Sequence, residues 1–272
     1  MADWRLIIGG FEDGAWNMAA DEAMLAAHLR GETPPTLRFY RWRPATVSLG
    51  RFQKIESAVD AEACRAMGVE VVRRPTGGRA ILHEESEVTF SVVVAEAALG
   101  ASGVMASYNV LAKGIVAGMR RLGLHARLVQ QGGQRRVTPA AADPMCFAAK
   151  ARCDVEVGGK KIVGSAQVHR GSMLLQQNSL PVAVDPDRCR RAFGADPAAP
   201  GGMAHAATDL ETALGRNVAA GEVIAALRDG FAQALGARLA PGDLTDRERD
   251  DALAIAARLR SAWPYPAAQG RP

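Results

Sequence analysis

Apolar positions change their period along the chain, and each change marks an element. Residues 4–8 read as an opening strand. Residues 17–30 continue at helical spacing, with Met18, Asp21, Glu22, Leu25 and Leu29 in register and Gly31 as the stop. Pro34-Pro35 resets the chain, and two extended pieces are predicted at 36–42 and 46–50. Residues 60–67 read as a short helix, opened by an Asp60 cap and closed by Gly68. Residues 69–73 alternate as a strand, turn at Pro75-Thr76-Gly77-Gly78 and resume at 80–83. A turn at 84–87 then leads into the β-branched run 88–94. The stretch 104–122 is a long amphipathic helix stopped by Gly123.

Residues 130–143 are polar and rich in Gly, Ala and Pro, so a mobile loop is expected there. Residues 154–157 and 160–168 flank Gly158-Gly159, which suits the two-residue turn of a hairpin. Residues 173–179 extend the sheet. Beyond Pro186 the pattern turns helical. Thr208-Asp209-Leu210-Glu211 and Thr245-Asp246-Arg247-Glu248 both match a capping box, and helices are predicted at 223–235 and 247–259. Strands early and in the middle, with helices at the end, predict an α+β fold. Its mixed or antiparallel sheets would be covered by helices, with a C-terminal helical part. Residues 1–240 are expected to form the main domain, and 241–272 a helical tail packed on it.

With 272 residues and 48% hydrophobic content, the chain can bury a core without disulfide staples. Its four cysteines, Cys64, Cys146, Cys153 and Cys189, form no CxxC pair and no zinc-finger spacing with histidine. Reduced thiols in the cytoplasm are the expectation. No signal-peptide pattern opens the chain, and no apolar stretch approaches a membrane span. The net charge of +4 fits acidic protein partners and is too weak to argue for nucleic acid. There is no Walker A loop, no Gly-Xaa-Gly, no GxSxG elbow and no HExxH. The five histidines are scattered, so no metal is expected.

Three places could carry chemistry. In the segment 73–83, Gly77 and Gly78 allow close backbone approach to a ligand, and Arg73, Arg74 and Arg79 could hold an anion. On physics alone, a hairpin turn with surface arginines is the simpler reading. In the 154–168 hairpin, Glu156 falls opposite Lys161, with Asp154 on the same face. A solvated lysine paired with Glu156 is the plain reading. The functional one is a cation that lowers a thiol pKa or steadies a carbonyl oxygen, beside the small residues Gly164, Ser165 and Ala166. Cys146 follows the polar loop and precedes the lysine hairpin. Cys64 and Cys189 lie in helical patterns and read as small buried hydrophobes. Cys153 is the rival thiol.

Together these pieces resemble a family. Arg73-Arg-Pro-Thr-Gly-Gly-Arg-Ala-Ile-Leu-His83 is similar to the ligand-binding signature of the biotin/lipoate protein ligase superfamily, and Gly159-Lys-Lys-Ile-Val-Gly-Ser-Ala-Gln167 to its lysine-containing segment. Trp16-Asn-Met-Ala-Ala-Asp-Glu22, Leu37-Arg-Phe-Tyr-Arg-Trp-Arg-Pro-Ala-Thr46 and Leu49-Gly-Arg-Phe-Gln53 match in order and spacing. The resemblance runs from about Trp4 to the C-terminal helices. Cys146-Phe147 ahead of the lysine segment is the mark of LipM-type octanoyltransferases. Two departures stand out: Glu84 follows His83 where that family usually has Asp, and Ala148-Ala-Lys-Ala-Arg-Cys153 replaces acidic and aromatic residues.

The resemblance implies a biotin/lipoate ligase-like catalytic domain and a ping-pong acyl transfer that needs no cofactor. Cys146 would take octanoate from acyl carrier protein as a thioester, with Lys161 lowering its pKa. A lysine of the glycine cleavage H protein or a lipoyl domain would then accept the acyl group. Arg73, Arg74, Thr76, Gly77, Gly78, Arg79 and His83, with Gly164, Ser165 and Ala166, would line the substrate site. A monomer is expected. One rival is an ATP- and Mg-dependent lipoate–protein ligase using Lys161. Another is a non-catalytic acyl-binding protein.

Overall fold

The computed structural model describes residues 2–129, 154–194 and 206–262. The expected loop at 130–143, Cys146 and Cys153 lie outside the described residues. The first half runs β1 (Ala2–Glu12), α1 (Gly14–Leu29), β2 (Thr36–Trp42), β3 (Thr46–Leu49), α2 (Ala61–Ala66), β4 (Glu70–Arg73), β5 (Ile81–His83), β6 (Val88–Ala95) and α3 (Val104–Arg121). The second runs β7 (Arg127–Leu128), β8 (Val155–Val157), β9 (Lys160–Arg170), β10 (Met173–Leu180), α4 (Pro186–Phe193), α5 (Leu210–Leu214), α6 (Ala220–Leu235), β11 (Ala237–Pro241) and α7 (Asp246–Ser261).

The strands form an eight-stranded sheet, β11-β1-β2-β6-β10-β9-β8-β7, and a three-stranded sheet, β4-β3-β5. The large sheet is mixed: β1 is parallel to β11 and β2, and the pairs from β2 to β7 are antiparallel. Side-chain alternation along β1 sorts the two faces. Trp4 and Leu6 join Phe39, Phe90 and Val92 beneath Leu111 and Ile115 of α3 and Leu227 and Phe231 of α6. Ile7 joins Val93 and Leu175 beneath Met24 and Leu25 of α1. Helices α3 and α6 pack closely because glycines face each other: a Cβ on Gly230 would lie 2.4 Å from the Gly118 nitrogen.

Helix α7 lies on α1 through small residues, Ala252 and Ala256 against Ala15, Ala19 and Ala23. Its capping box is the predicted one, Thr245 with Glu248. The same Glu248 reaches Arg5 of β1 at 2.6 Å, with both side chains buried. On the small sheet, Cys64 of α2 and Cys189 and Phe193 of α4 cover Val47, Leu49 and Val71.

The α+β expectation holds, and most element boundaries agree within a few residues. Two details differ. The cap of α5 is Asp209, whose side chain accepts from the Thr212 N–H, and no capping box forms from Thr208. Thr208 instead donates its backbone N–H to the Lys161 carbonyl at 2.9 Å, which keeps it outside the helix. Strand β11 was not predicted, since its only support is a long-range parallel pairing with β1. No helix among the described residues is long and apolar enough to cross a membrane.

Candidate active site

The turn after β4 is built by backbone contact. The Arg51 N–H donates to the Thr76 carbonyl and the Arg74 N–H to the Leu49 carbonyl. At Gly50 the two loops touch: a Cβ there would sit 1.8 Å from the Gly78 carbonyl oxygen. Gly78 itself has φ +93°, a conformation open to glycine and strained for other residues.

The two leading arginines serve this architecture. Arg73 is exposed, and its Nη1 donates to the carbonyls of Gly50, Arg51 and Gln53. Arg74 is buried and donates to the carbonyls of Ser48, Gly77 and Arg79. Both guanidiniums thus satisfy loop carbonyls, which a plain surface reading of these arginines does not anticipate.

Thr76 is buried, and its Oγ1 donates to Gln177 Oε1 at 2.8 Å. Gln177 in turn donates to Asp21 Oδ2 at 2.8 Å. Asp21 also accepts from Arg38, Tyr40 and Ser91, and so leaves no buried charge unpaired. Burial, with the Asp21 carboxylate beside it, pushes the Tyr40 hydroxyl well above the ordinary tyrosine range, so it stays a donor. Because Gln177 pairs across the sheet with Ala166, this chain of bonds brings the 73–83 turn and the small residues of β9 together.

His83 is buried and stacked on Trp42, with ring centroids 4.1 Å apart. Its Nδ1 meets Glu87 Oε1 at 2.7 Å and its Nε2 meets Ser48 Oγ at 2.8 Å. A proton on Nδ1, facing the carboxylate, leaves Nε2 to accept from the Ser48 hydroxyl. Glu84, the residue after His83, is held by Arg188 of α4. Burial raises its carboxyl above the usual range despite that arginine.

Lys161 is 3% exposed, so the expected solvated lysine is not found. Its backbone does face Glu156 in the ladder, but Nζ pairs with Asp154 Oδ1 at 3.1 Å. Glu156 is taken by Arg127 at 2.7 Å. A register shift between Val155 and Glu156 accompanies the change of partner. Burying a charged lysine is costly unless an opposite charge lies close by, and Asp154 supplies it.

A cleft runs between the two sheets. Its lining includes Ser48, Arg74, Ile81 and His83 from the small sheet and its turn, Trp42, Gly164, Ser165, Ala166, Gln177 and Ser179 from the large sheet, and Met18 of α1. Of the predicted site residues, Arg74, His83, Gly164, Ser165 and Ala166 therefore meet there. Arg73, Thr76, Gly77, Gly78 and Arg79 shape the turn behind it. Lys161 lies three residues from Gly164, roughly 10 Å along the strand. The Ser179 hydroxyl is buried with no partner among the described residues. The cleft volume is about 20 Å³, room for one water and not for an eight-carbon chain. Among the described residues, no group of three His, Cys, Asp or Glu could hold a metal ion.

Of the cysteines, Cys64 and Cys189 are buried, as expected. Burial, then the nearby Asp60 carboxylate, pushes the Cys64 thiol up to about 12, which leaves it inert at neutral pH.

The family model described as "Lipoyl protein ligase A/B catalytic domain" matches residues 13–232. An octanoyltransferase LipM of Kyrpidia tusciae is 43% identical, with 97% of this chain and 99% of that one covered. The LipM of Symbiobacterium thermophilum is also 43% identical, over 93% of this chain and 94% of the other. The chain belongs to the LipM octanoyltransferase family. Its fold is shared with solved ligases. A lipoate-protein ligase A bound with ATP aligns with a TM-score of 0.78 at 24% identity, covering 95% of each chain. The T. acidophilum protein Ta0514, solved with lipoic acid, gives 0.75 at 26%, over 95% of this chain and 96% of that one.

For this LipM family member, sequence reasoning missed Gly50, Asp21, Gln177 and the partners of His83, Ser48 and Glu87, as parts of the site. Gly50 and Asp21 stood inside quoted motifs, but nothing local says which backbone or side chain each will meet. Gln177 carried no signal, because a glutamine in a strand is ordinarily a surface residue.

Proposed function

We propose that this LipM family member moves an octanoyl group from acyl carrier protein to a lysine of a lipoyl-accepting protein. The acceptor is a glycine cleavage H protein or a lipoyl domain. The acyl group rides in between as a thioester on Cys146. The observation that carries this reading is the 43% identity to LipM octanoyltransferases over nearly the whole of both chains. The burial of Lys161 beside Asp154, on the strand that lines the cleft, supports it.

In the first step the Cys146 thiolate attacks the carbonyl carbon of the donor thioester. The carbon–sulfur bond to the donor breaks, and the donor leaves as a thiolate that takes up a proton from solvent. In the second step a neutral lysine amine of the acceptor attacks the acyl-enzyme. An amide forms, the Cys146 thiolate is released, and the surplus proton of the amine passes to solvent. A thioester is already activated, so neither step requires nucleotide. Lys161 supplies a cation that favours the thiolate and offsets charge developing on the carbonyl oxygen. Asp154 pairs with that lysine in its buried setting. Ser179 gives a buried donor with no other described partner.

The narrowness of the cleft means that its lining shifts when acyl binds. Met18 is suited to this, being unbranched and adaptable. Burying each methylene contributes about 0.8 kcal/mol, so eight carbons can drive the shift. The ligase alternative is not favoured, since the chain falls among LipM proteins over its whole length. The deciding assay offers octanoyl carrier protein and acceptor without ATP. Octanoylated acceptor is expected, and modification only with free octanoate and ATP would reject the reading.

A further inference from the structure

Phe52 is 86% exposed, the most exposed large apolar side chain among the described residues. A lone surface phenylalanine is common and needs no explanation. This one stands on a loop fixed from several sides. Arg73 clasps it through the carbonyls of Gly50, Arg51 and Gln53, at 2.9, 3.3 and 2.8 Å. The Gln53 side chain accepts from the Gly50 N–H, and the Gln53 N–H returns to the Gly50 carbonyl. Gly50 abuts Gly78, so the loop packs directly on the turn beside the cleft.

The surroundings of Phe52 are basic. Arg51 lies 5.5 Å from its ring centroid, Lys54 is exposed two residues on, and Arg73 is exposed beneath the loop. Within residues 50–57 the one carboxylate is Glu56. An aromatic side chain on a backbone tied down from several sides, with basic residues near it in the chain, has the makings of an interface anchor, because little backbone entropy remains to be lost on binding.

We propose that Phe52, with Arg51 and Lys54, is the docking tip for the acidic protein that delivers the acyl thioester. This rests on the octanoyltransferase reading above. The choice of donor over acceptor follows from reach. Phe52 is not part of the cleft lining, so a protein docked on it sits beside the cleft. A donor whose acyl group rides on a long flexible arm can dock there and still pass that group into the cleft. An acceptor must bring the short four-carbon stem of a lysine into the cleft, and so must dock over the cleft mouth.

The test uses the full-length protein, with Phe52→Ala and with Arg51→Ala plus Lys54→Ala. Titration with the unacylated carrier protein reads docking without chemistry. Phe52→Ala is expected to weaken it about tenfold or more. The double variant should weaken it mainly at low salt. In self-acylation, kcat/KM with octanoyl carrier protein should fall by the same factor. The rate with octanoyl-N-acetylcysteamine, which has no protein to dock, should not change. Nor should discharge of the preloaded enzyme onto its acceptor. Unaltered carrier binding would overturn the proposal, as would equal losses with both donors or a loss confined to discharge. If the unaltered protein binds carrier through Phe52 yet never becomes acylated, the docking stands and the thioester reading fails.

Discussion

Gly50 and Gly78 touch through their backbones, and that contact sets the shape of the turn beside the cleft. A methyl group at Gly50 has nowhere to go, because the atom it meets is a carbonyl oxygen in a turn tied down by Arg74. Gly50→Ala is therefore expected to cut the acyl-transfer rate at least tenfold, at the cost of about 1–3 kcal/mol of overpacking. Full activity with unchanged thermal stability would show that the turn plays no part. Lys161 makes a second claim at this scale. If it supports the thiolate, Lys161→Ala raises the pH at which the reactive thiol is alkylated by about a unit or more, each unit being 1.36 kcal/mol. Iodoacetamide kinetics against pH read this directly, and an unmoved profile contradicts the role. The sequence placed Lys161 opposite Glu156 and put Asp154 on the same face, and the structure chooses Asp154. Strand periodicity identifies a face. It does not show burial or a register shift, and those decide the partner.

At the scale of elements, β1 and α7 are joined by a buried ion pair between residues 243 positions apart in sequence, Arg5 and Glu248. Burial alone would raise the Glu248 carboxyl, but the Arg5 guanidinium and the Thr245 N–H together hold it below the usual range. A carboxyl lowered in the folded state contributes stability above its unfolded value and loses it as pH falls through its folded one. Glu248→Gln should then cost about 3 kcal/mol at pH 7 and progressively less towards pH 3. Denaturant melts at a series of pH values test this, and a penalty independent of pH would contradict it. Glu84, whose carboxyl burial raises, works in the opposite sense and softens acid unfolding as it takes up a proton. Helices and antiparallel strands were legible because their signals are local: periodicity, the Asp60 and Thr245 caps, and Gly158-Gly159 at the hairpin. Strand β11 was not, since its five residues gain a partner only when the chain returns to β1.

For the whole molecule, the two sheets bring together pieces that lie far apart in the chain. The 73–83 turn, the 164–166 stretch of β9 and Asp21 of α1 meet through Gln177. We propose that residues 1–240 form the catalytic unit and that the tail from 241 is packed on it, as the Ala252 and Ala256 contacts with α1 suggest. The site's motifs were legible as a set, because several short signatures in fixed order are specific where each alone is weak. Their division of labour was not, since whether an arginine faces a ligand or a loop carbonyl depends on atoms distant in sequence. The central claim is that one thiol carries the acyl group. Intact-mass analysis after incubation with octanoyl carrier protein, without ATP, tests it most directly. One octanoyl adduct is expected, mapped to Cys146 and lost in Cys146→Ser. An adduct that survives Cys146→Ser, or none at all while the acceptor is still modified, would contradict it.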